Sequence, residues 1–171
     1  MLLPYSPVCN NTNIFSLETL TRAIALHPEH WRPLVFTNGC FDLLHVGHVR
    51  YLKSAKNLGK SLVIGLNSDY SLEKLKPALP GFPPRPLIPQ EQRAEILTAL
   101  AAVDGVVIFN ETTAINLIEA LKPEIYVKGG DYSLATLPEA PIVEAYGGKI
   151  KLIEVEVSTS TTAIIQRILQ K

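Results

Sequence analysis

Five short apolar runs, separated by helix-like stretches, constrain this chain more than any other feature. They are RPLVFTN (32–38), SLVIGLN (61–67), DGVVIF (104–109), EIYVKGGD (124–131) and KIKLIEVEV (149–157). Their apolar residues come in runs rather than in strict alternation, the pattern of strands covered on both faces of a parallel sheet. The segments between them read as helices. SLETLTRAIAL (16–26) carries Leu17, Leu20 and Ile24 at helical spacing behind Ser16 as N-cap, and VGHVRYLKSAKNLG (46–59) closes on Gly59. DYSLEKLK stops at Pro77, PQEQRAEILTALAAV opens with Pro89, and ETTAINLIEALK ends before Pro123. LPEAPIVEAYGG is helical near its end, and STSTTAIIQRILQK is a capped terminal helix. The order predicts an α/β fold: one Rossmann-like three-layer sandwich around a five-stranded parallel sheet, spanning residues 16–171 after a tail at 1–15.

The 171 residues suffice for one such domain, and no internal repeat or domain boundary interrupts them. With 16 basic and 16 acidic residues the chain has no basic excess, which argues against a general nucleic-acid binder. Cys9 and Cys40 are too few for a disulfide framework and match no zinc spacing. No run approaches the length of a membrane span, and no basic segment leads into an apolar one at the N-terminus. A cytoplasmic protein with no membrane partner is therefore expected. Residues 77–89 hold six prolines and one glycine, which excludes helix or central strand and leaves a long surface loop of the kind that often carries function.

In open parallel sheets ligands bind beyond the carboxyl ends of the strands. That rule selects 37–42, 67–69, 109–111, 128–132 and 158–162, where the polar clusters fall. His45 and His48 stand out among them. A helix starting near Val46 projects both from its first turn on nearly one face, with Gly47 between them to admit a ligand close to the backbone. Free N–H groups at a helix start favour anions, and two imidazoles add donors suited to a phosphate. Packing histidines and a zinc site are the other readings of the pair; the latter lacks further Cys or His nearby.

The whole stretch FTNGCFDLLHVGH resembles the signature of the nucleotidyltransferase superfamily, whose members transfer a nucleotide monophosphate from a triphosphate and release pyrophosphate. FTNGCFDLLHVGHVRYL, GLNSD, RPLIPQEQRAEIL, YVKGGDY and STSTTAII follow in that order. Together they resemble the D-glycero-β-D-manno-heptose 1-phosphate adenylyltransferases, in the form without a fused sugar kinase domain. The resemblance runs from about residue 16 to the C-terminus, and YVKGGDY is its most discriminating piece. It implies AMP transfer from ATP to a sugar 1-phosphate, with magnesium on the phosphates and a homodimer as a possible assembly. A cytidylyltransferase for an alcohol phosphate such as glycerol 3-phosphate, or a nucleotide-binding module without catalysis, are the alternatives.

The resemblance also assigns roles. His45 and His48 stabilise the transition state, with Arg93 and Lys128 on the phosphates. Thr37, Asn38, Gly39, Phe41 and Asp42 shape the first turn, and Gly47, Asn67 and Asp69 line the nucleotide. Gly129 and Gly130 let the chain approach a phosphate beside Lys128, Asp131 orients the sugar or the lysine, and Ser160, Thr161 and Thr162 bind the β and γ phosphates. N-capping is the plain alternative for Ser160 to Thr162, an exposed helix arginine for Arg93, and a turn lysine for Lys128. Arg50 and Lys53 lie one or two turns along the first site helix, either toward acceptor phosphate or on a solvated face. No metal-ligand set is assigned. Cys40 has no base spaced to activate it as a nucleophile. The chain departs from the family pattern in the extra residues PALPGFPP before Arg85, and in Thr159 ahead of the S-T-T run.

Overall fold

The computed structural model describes residues 13–77, 80–129, 136–154 and 159–170. The chain runs β1 (Ile14–Phe15), α1 (Leu17–Leu26), α2 (Pro28–Trp31), β2 (Leu34–Gly39), α3 (Val46–Lys56), β3 (Ser61–Asn67) and α4 (Asp69–Leu75). It continues with α5 (Gln90–Thr98), β4 (Gly105–Phe109), α6 (Ile115–Leu121), β5 (Ile125–Gly129), α7 (Ala140–Ala145), β6 (Lys149–Ile153) and α8 (Thr161–Leu169). All strand pairs are parallel, in the order β1-β4-β3-β2-β5-β6. The sheet thus has six strands where five were expected. The sixth comes from Ile14–Phe15, the end of the stretch read as tail; they pair with Val106 and Val107 at the sheet edge. Two residues carry no periodicity, so sequence pattern alone does not mark them as strand.

The runs of apolar residues exist because the sheet is covered twice. On β2, Leu34 and Phe36 face a core shared with Leu20 and Ile24 of α1, Leu117, Ile118 and Leu121 of α6, and Val143 of α7. Val35 faces the opposite core, with Leu52 and Ala55 of α3 and Ala94 and Leu97 of α5. β3 is buried along all seven residues and feeds Val63 to the first core and Leu62, Ile64 and Leu66 to the second. Each fully buried aliphatic side chain stabilises by ~1.5–3 kcal/mol. At the amino end of β2, Glu124 accepts Leu34 N–H at 2.6 Å and Arg32 Nη1 at 2.9 Å, while Arg32 also donates to the Lys122 and Leu121 carbonyls that end α6.

β2 is flanked by β3 on one side and β5 on the other. The chain builds outward through β3 and β4, then crosses back to β5 and β6. Such a switch point opens a crevice beyond the carboxyl ends of β2 and β5. Two helix predictions overran. ETTAINLIEALK is helical only from Ile115, because Glu111 accepts from Asn110 N–H and Asn116 Nδ2 and holds 111–114 as a loop. α5 ends at Thr98, short of Val103. Among the described residues no helix is long and apolar enough to cross a membrane.

Gly65 tests the packing of the central strand. A Cβ there would lie 2.8 Å from Phe36 Cζ, 3.0 Å from Leu117 Cδ1 and 3.3 Å from Asn38 Cβ. Overpacking of this kind costs ~1–3 kcal/mol. Gly65→Ala is expected to lower the melting temperature by several degrees in a thermal melt followed by circular dichroism; an unchanged melt would mean the two faces relax at no cost.

Candidate functional site

Beyond the carboxyl ends of β2 and β5 lies a cavity of about 530 Å³. Its floor is the turn after β2. Phe41 sits there with φ of +44°, a left-handed conformation that side chains rarely adopt and that stores strain at functional turns. The turn needs Gly39, since a Cβ there would lie 3.0 Å from the Phe41 ring. Phe41 in turn packs against His48, with ring centroids 5.3 Å apart. His45 is the N-cap of α3 but makes no side-chain capping bond. Its ring folds back over the first turn to lie 3.9 Å from the His48 ring, centroid to centroid. Gly47 permits this, because a Cβ would come within 2.9 Å of the His45 ring.

Both imidazoles are buried at Nδ1 without a hydrogen-bond partner. Burial pushes the His45 imidazole below its usual pKa. It pushes His48 further, to about 4, with the neighbouring His45 adding to the drop and a Leu43 backbone contact opposing it. The pair is therefore neutral near pH 7. Unpartnered buried polar atoms are costly in a core, and in a cavity they mark where a ligand's polar atoms belong.

The remaining wall brings the expected residues together. Asn38, Asn67, Lys128, Gly129, Ser160, Thr161 and Thr162 line the cavity with the histidine turn. Gly129 is required for packing behind the wall, since a Cβ would lie 2.8 Å from the Tyr51 ring, which hydrogen-bonds Thr37 Oγ1 at 2.6 Å. Burial lowers the Lys128 pKa, opposed chiefly by Glu139. Ser160 N-caps α8, its Oγ accepting from Ala163 N–H at 3.1 Å, so capping and a hydroxyl facing the cavity hold together. Thr161 Oγ1 donates to the Leu43 carbonyl at 3.3 Å and ties α8 to the histidine turn. Two helix starts, α3 and α8, thus meet at one cavity.

Burial and distance from the wall separate Arg93, Asp69 and Thr37 from the cavity, and of the two readings open for Arg50 and Lys53 they favour the solvated face. Arg93 is 1% exposed and does not line the cavity; its guanidinium donates to the carbonyls of Ile88, Cys40 and Asn67 and to the Asp69 carboxylate. Asp69 pairs with Arg93 and does not line the cavity. Thr37 is fully buried beneath the wall. Arg50 and Lys53 are exposed and away from the cavity. Gly130 and Asp131 lie outside the described residues.

Asp42, expected to shape the first turn, brings in residues that the motifs did not mark. Asp42 is buried and clasps the proline-rich loop: Oδ1 accepts Leu87 N–H at 2.8 Å and Ile88 N–H at 3.0 Å, and Oδ2 pairs with Arg85 Nε. This clasp places Arg85 on the cavity wall near Lys76. Thr112, Thr113 and Glu139 line another part of it. The strand-end rule stopped at residue 111, one position short of the threonines, and nothing in PEAP marks Glu139 as cavity-facing. As for a metal, Asp42 and Asp69 are both engaged by arginines. Among the described residues, the only three metal-ligating side chains that converge are His27, Glu29 and His30, exposed beside α2 at the opposite end of β2. Among the described residues the cavity offers no carboxylate cage for magnesium.

A family model described as cytidylyltransferase-like matches residues 36–167. The bifunctional protein HldE of Syntrophotalea carbinolica is 49% identical over 154 residues, which are 90% of this chain and 30% of that protein. HldE of Geobacter sulfurreducens is 48% identical over 160 residues, 94% of this chain and 32% of that one. The chain therefore spans about a third of the length of these curated relatives. Among solved structures, the lipopolysaccharide core biosynthesis protein of Thermoplasma volcanium superposes with a TM-score of 0.56 at 26% identity, over 73% of this chain and 97% of that one. A pantoate-beta-alanine ligase from Francisella tularensis, complexed with beta-gamma ATP and beta-alanine, gives a TM-score of 0.55 at 13% identity, over 93% of this chain and 78% of that one; this likeness shows the fold alone.

The depressed His48 pKa has a consequence for stability. Between pH 6.5 and about 4 the unfolded imidazole takes up a proton that the folded one refuses. Unfolding then binds protons, so stability falls as pH drops through that window. Denaturant midpoints measured across it are expected to decline less steeply in His48→Gln than in the parent; identical slopes would mean that His48 titrates normally in the folded protein.

Proposed function

The chain belongs to the cytidylyltransferase-like family, and from that premise we propose that it transfers AMP from ATP to a sugar 1-phosphate. The acceptor read from the motifs is D-glycero-D-manno-heptose 1-phosphate, and the products are the ADP-sugar and pyrophosphate. The observation that carries the reading is the pair of unpartnered histidine Nδ1 atoms at the start of α3, set in one cavity with Lys128 and the hydroxyls at the start of α8. A relative in lipopolysaccharide core biosynthesis, at 26% identity, is consistent with a sugar acceptor.

The chemistry follows from charge. An oxygen of the acceptor phosphate attacks the α-phosphorus of ATP, the bond to the bridging oxygen breaks, and its electron pair leaves with pyrophosphate. The attacking oxygen is already anionic, so no general base is needed. Negative charge grows on the equatorial oxygens of the α-phosphate, where fixed donors are most effective. His45 and His48 supply those donors, held by Gly47, Phe41 and each other. An arriving polyanion favours the protonated form of an imidazole, so the low pKa values of the free site rise on binding. Lys128, whose charge is disfavoured by burial and supported by Glu139, gains a further anionic neighbour in the same event. Magnesium would neutralise charge on the triphosphate, and with no carboxylate cage among the described residues the substrate's own phosphates would hold it.

Pyrophosphate release with each nucleoside triphosphate, paired with heptose 1-phosphate or glycerol 3-phosphate, tests this reading. ATP with the heptose is the expected productive pair; turnover with CTP and glycerol 3-phosphate would replace it with the alcohol-phosphate reading, and silence with every pair would leave a binding module. Within the productive pair, His48→Ala is expected to lower kcat by ~10²–10³ while the KM for ATP changes much less. Equal losses in both would make His48 a ground-state contact. Lys128→Met keeps the stem and removes the charge, so a large loss of activity with a melting temperature within a few degrees of the parent is expected. Near-normal pyrophosphate release from that variant would return Lys128 to a turn residue.

A further inference from the structure

Away from the histidines, the cavity reaches the meeting point of the β4–α6 and β5–α7 connections, where Thr112, Thr113, Leu137 and Glu139 form its wall. Glu139 is 3% exposed, just ahead of α7. Burying a carboxylate is costly unless it is paired or hydrogen-bonded. Among the described residues, its one hydrogen bond is from Ala114 N–H to Oε1 at 3.2 Å. Its charge also supports that of Lys128, whose pKa it raises. A carboxylate offers about four lone-pair sites, so most of its accepting capacity remains for the cavity. Its negative charge opposes a triphosphate in this lobe and favours a neutral group rich in O–H donors. Adjacent hydroxyls of a polyol match the two oxygens of a carboxylate, in charge-assisted bonds stronger than neutral ones. The threonine hydroxyls both donate and accept, and Leu137 gives an apolar surface for the C–H face of a sugar.

We infer that Thr112, Thr113 and Glu139 form the subsite for the hydroxyl-bearing body of the acceptor, a polyhydroxylated sugar phosphate whose phosphate is directed to Lys128. The inference rests on the transferase reading above. It makes Glu139 a determinant of acceptor binding and leaves the nucleotide to the α3 and α8 side.

Steady-state kinetics with ATP and heptose 1-phosphate varied separately test it, in the parent, in Glu139→Gln and in the double variant Thr112→Val, Thr113→Val. Each variant is expected to raise the acceptor KM by about tenfold or more, with the KM for ATP within about twofold of the parent. The threonine variant leaves the Ala114–Glu139 bond in place, so it decides the matter should Glu139→Gln lower the melting temperature. An unmoved acceptor KM in the threonine variant, or ATP and acceptor KM values rising together, overturns the subsite while parental turnover keeps the transferase reading. A parent that releases no pyrophosphate with ATP and any sugar phosphate defeats both.

Discussion

A single buried guanidinium holds the walls of the cavity in register. Arg93 reaches from α5 to the Cys40 carbonyl after β2, the Asn67 carbonyl at the end of β3, the Ile88 carbonyl ahead of α5 and the Asp69 carboxylate at the start of α4. Leaving a buried hydrogen-bonding group unsatisfied typically costs ~1–3 kcal/mol, and the Asp69 carboxylate, 37% exposed, is partly screened by solvent. Lysine cannot substitute, since a point charge lacks the planar fork that spans four acceptors at once. The histidine turn, the end of β3 and the proline-rich loop therefore share one anchor. Displacing any of them displaces the donors of the cavity, and reacting groups misplaced by about 1 Å lose roughly 10²-fold in rate.

Asp42 repeats the arrangement with the opposite charge. Its carboxylate is fully used by two backbone N–H groups and Arg85. The loop 77–89 read from its prolines as an irregular segment near the site is thus fastened, at 85–88, to the turn that bears the histidines. The charged residues that motif logic assigns to substrate are in part the scaffold: Arg93, Asp69 and Asp42 neutralise one another's neighbourhoods inside the walls. What faces the cavity is different in kind. It is two neutral imidazoles, helix-start N–H groups, hydroxyls, the cations of Lys76, Arg85 and Lys128, and the carboxylate of Glu139.

This division explains what the sequence could and could not reveal. The sheet, its helices and the strand ends that carry the site follow from apolar runs and from glycine and proline punctuation, both local signals. His45, His48, Lys128 and Ser160 are legible because strand-end position and residue chemistry agree there. Arg93 misleads because a motif records which residue is present, not whether its fork turns toward substrate or toward backbone carbonyls; only burial decides that. Thr112 and Thr113 were hidden by a helix-like pattern that the structure breaks at Ile115, where Glu111 and Glu139 hold the preceding loop. Glu139 is 25 residues from its Ala114 partner, and such a distant pairing leaves no periodic trace. The β1 edge strand, two residues long, is defined by its partner and not by its own composition.

The placement of the carboxylates also sets a direction for the reaction. With Asp42 and Asp69 each held by an arginine, Glu139 is, among the described residues, the acidic side chain on the cavity wall without an arginine partner, and its charge neighbour there is Lys128. On the proposed reading, an acceptor with a phosphate at one end and hydroxyls at the other would set its hydroxyls against Glu139 and its phosphate against Lys128, at the carboxyl end of β5 next to the switch point. That placement would turn the attacking oxygen toward the histidines of α3. It requires no movement of the protein, because Arg93 and Asp42 have already fixed the walls.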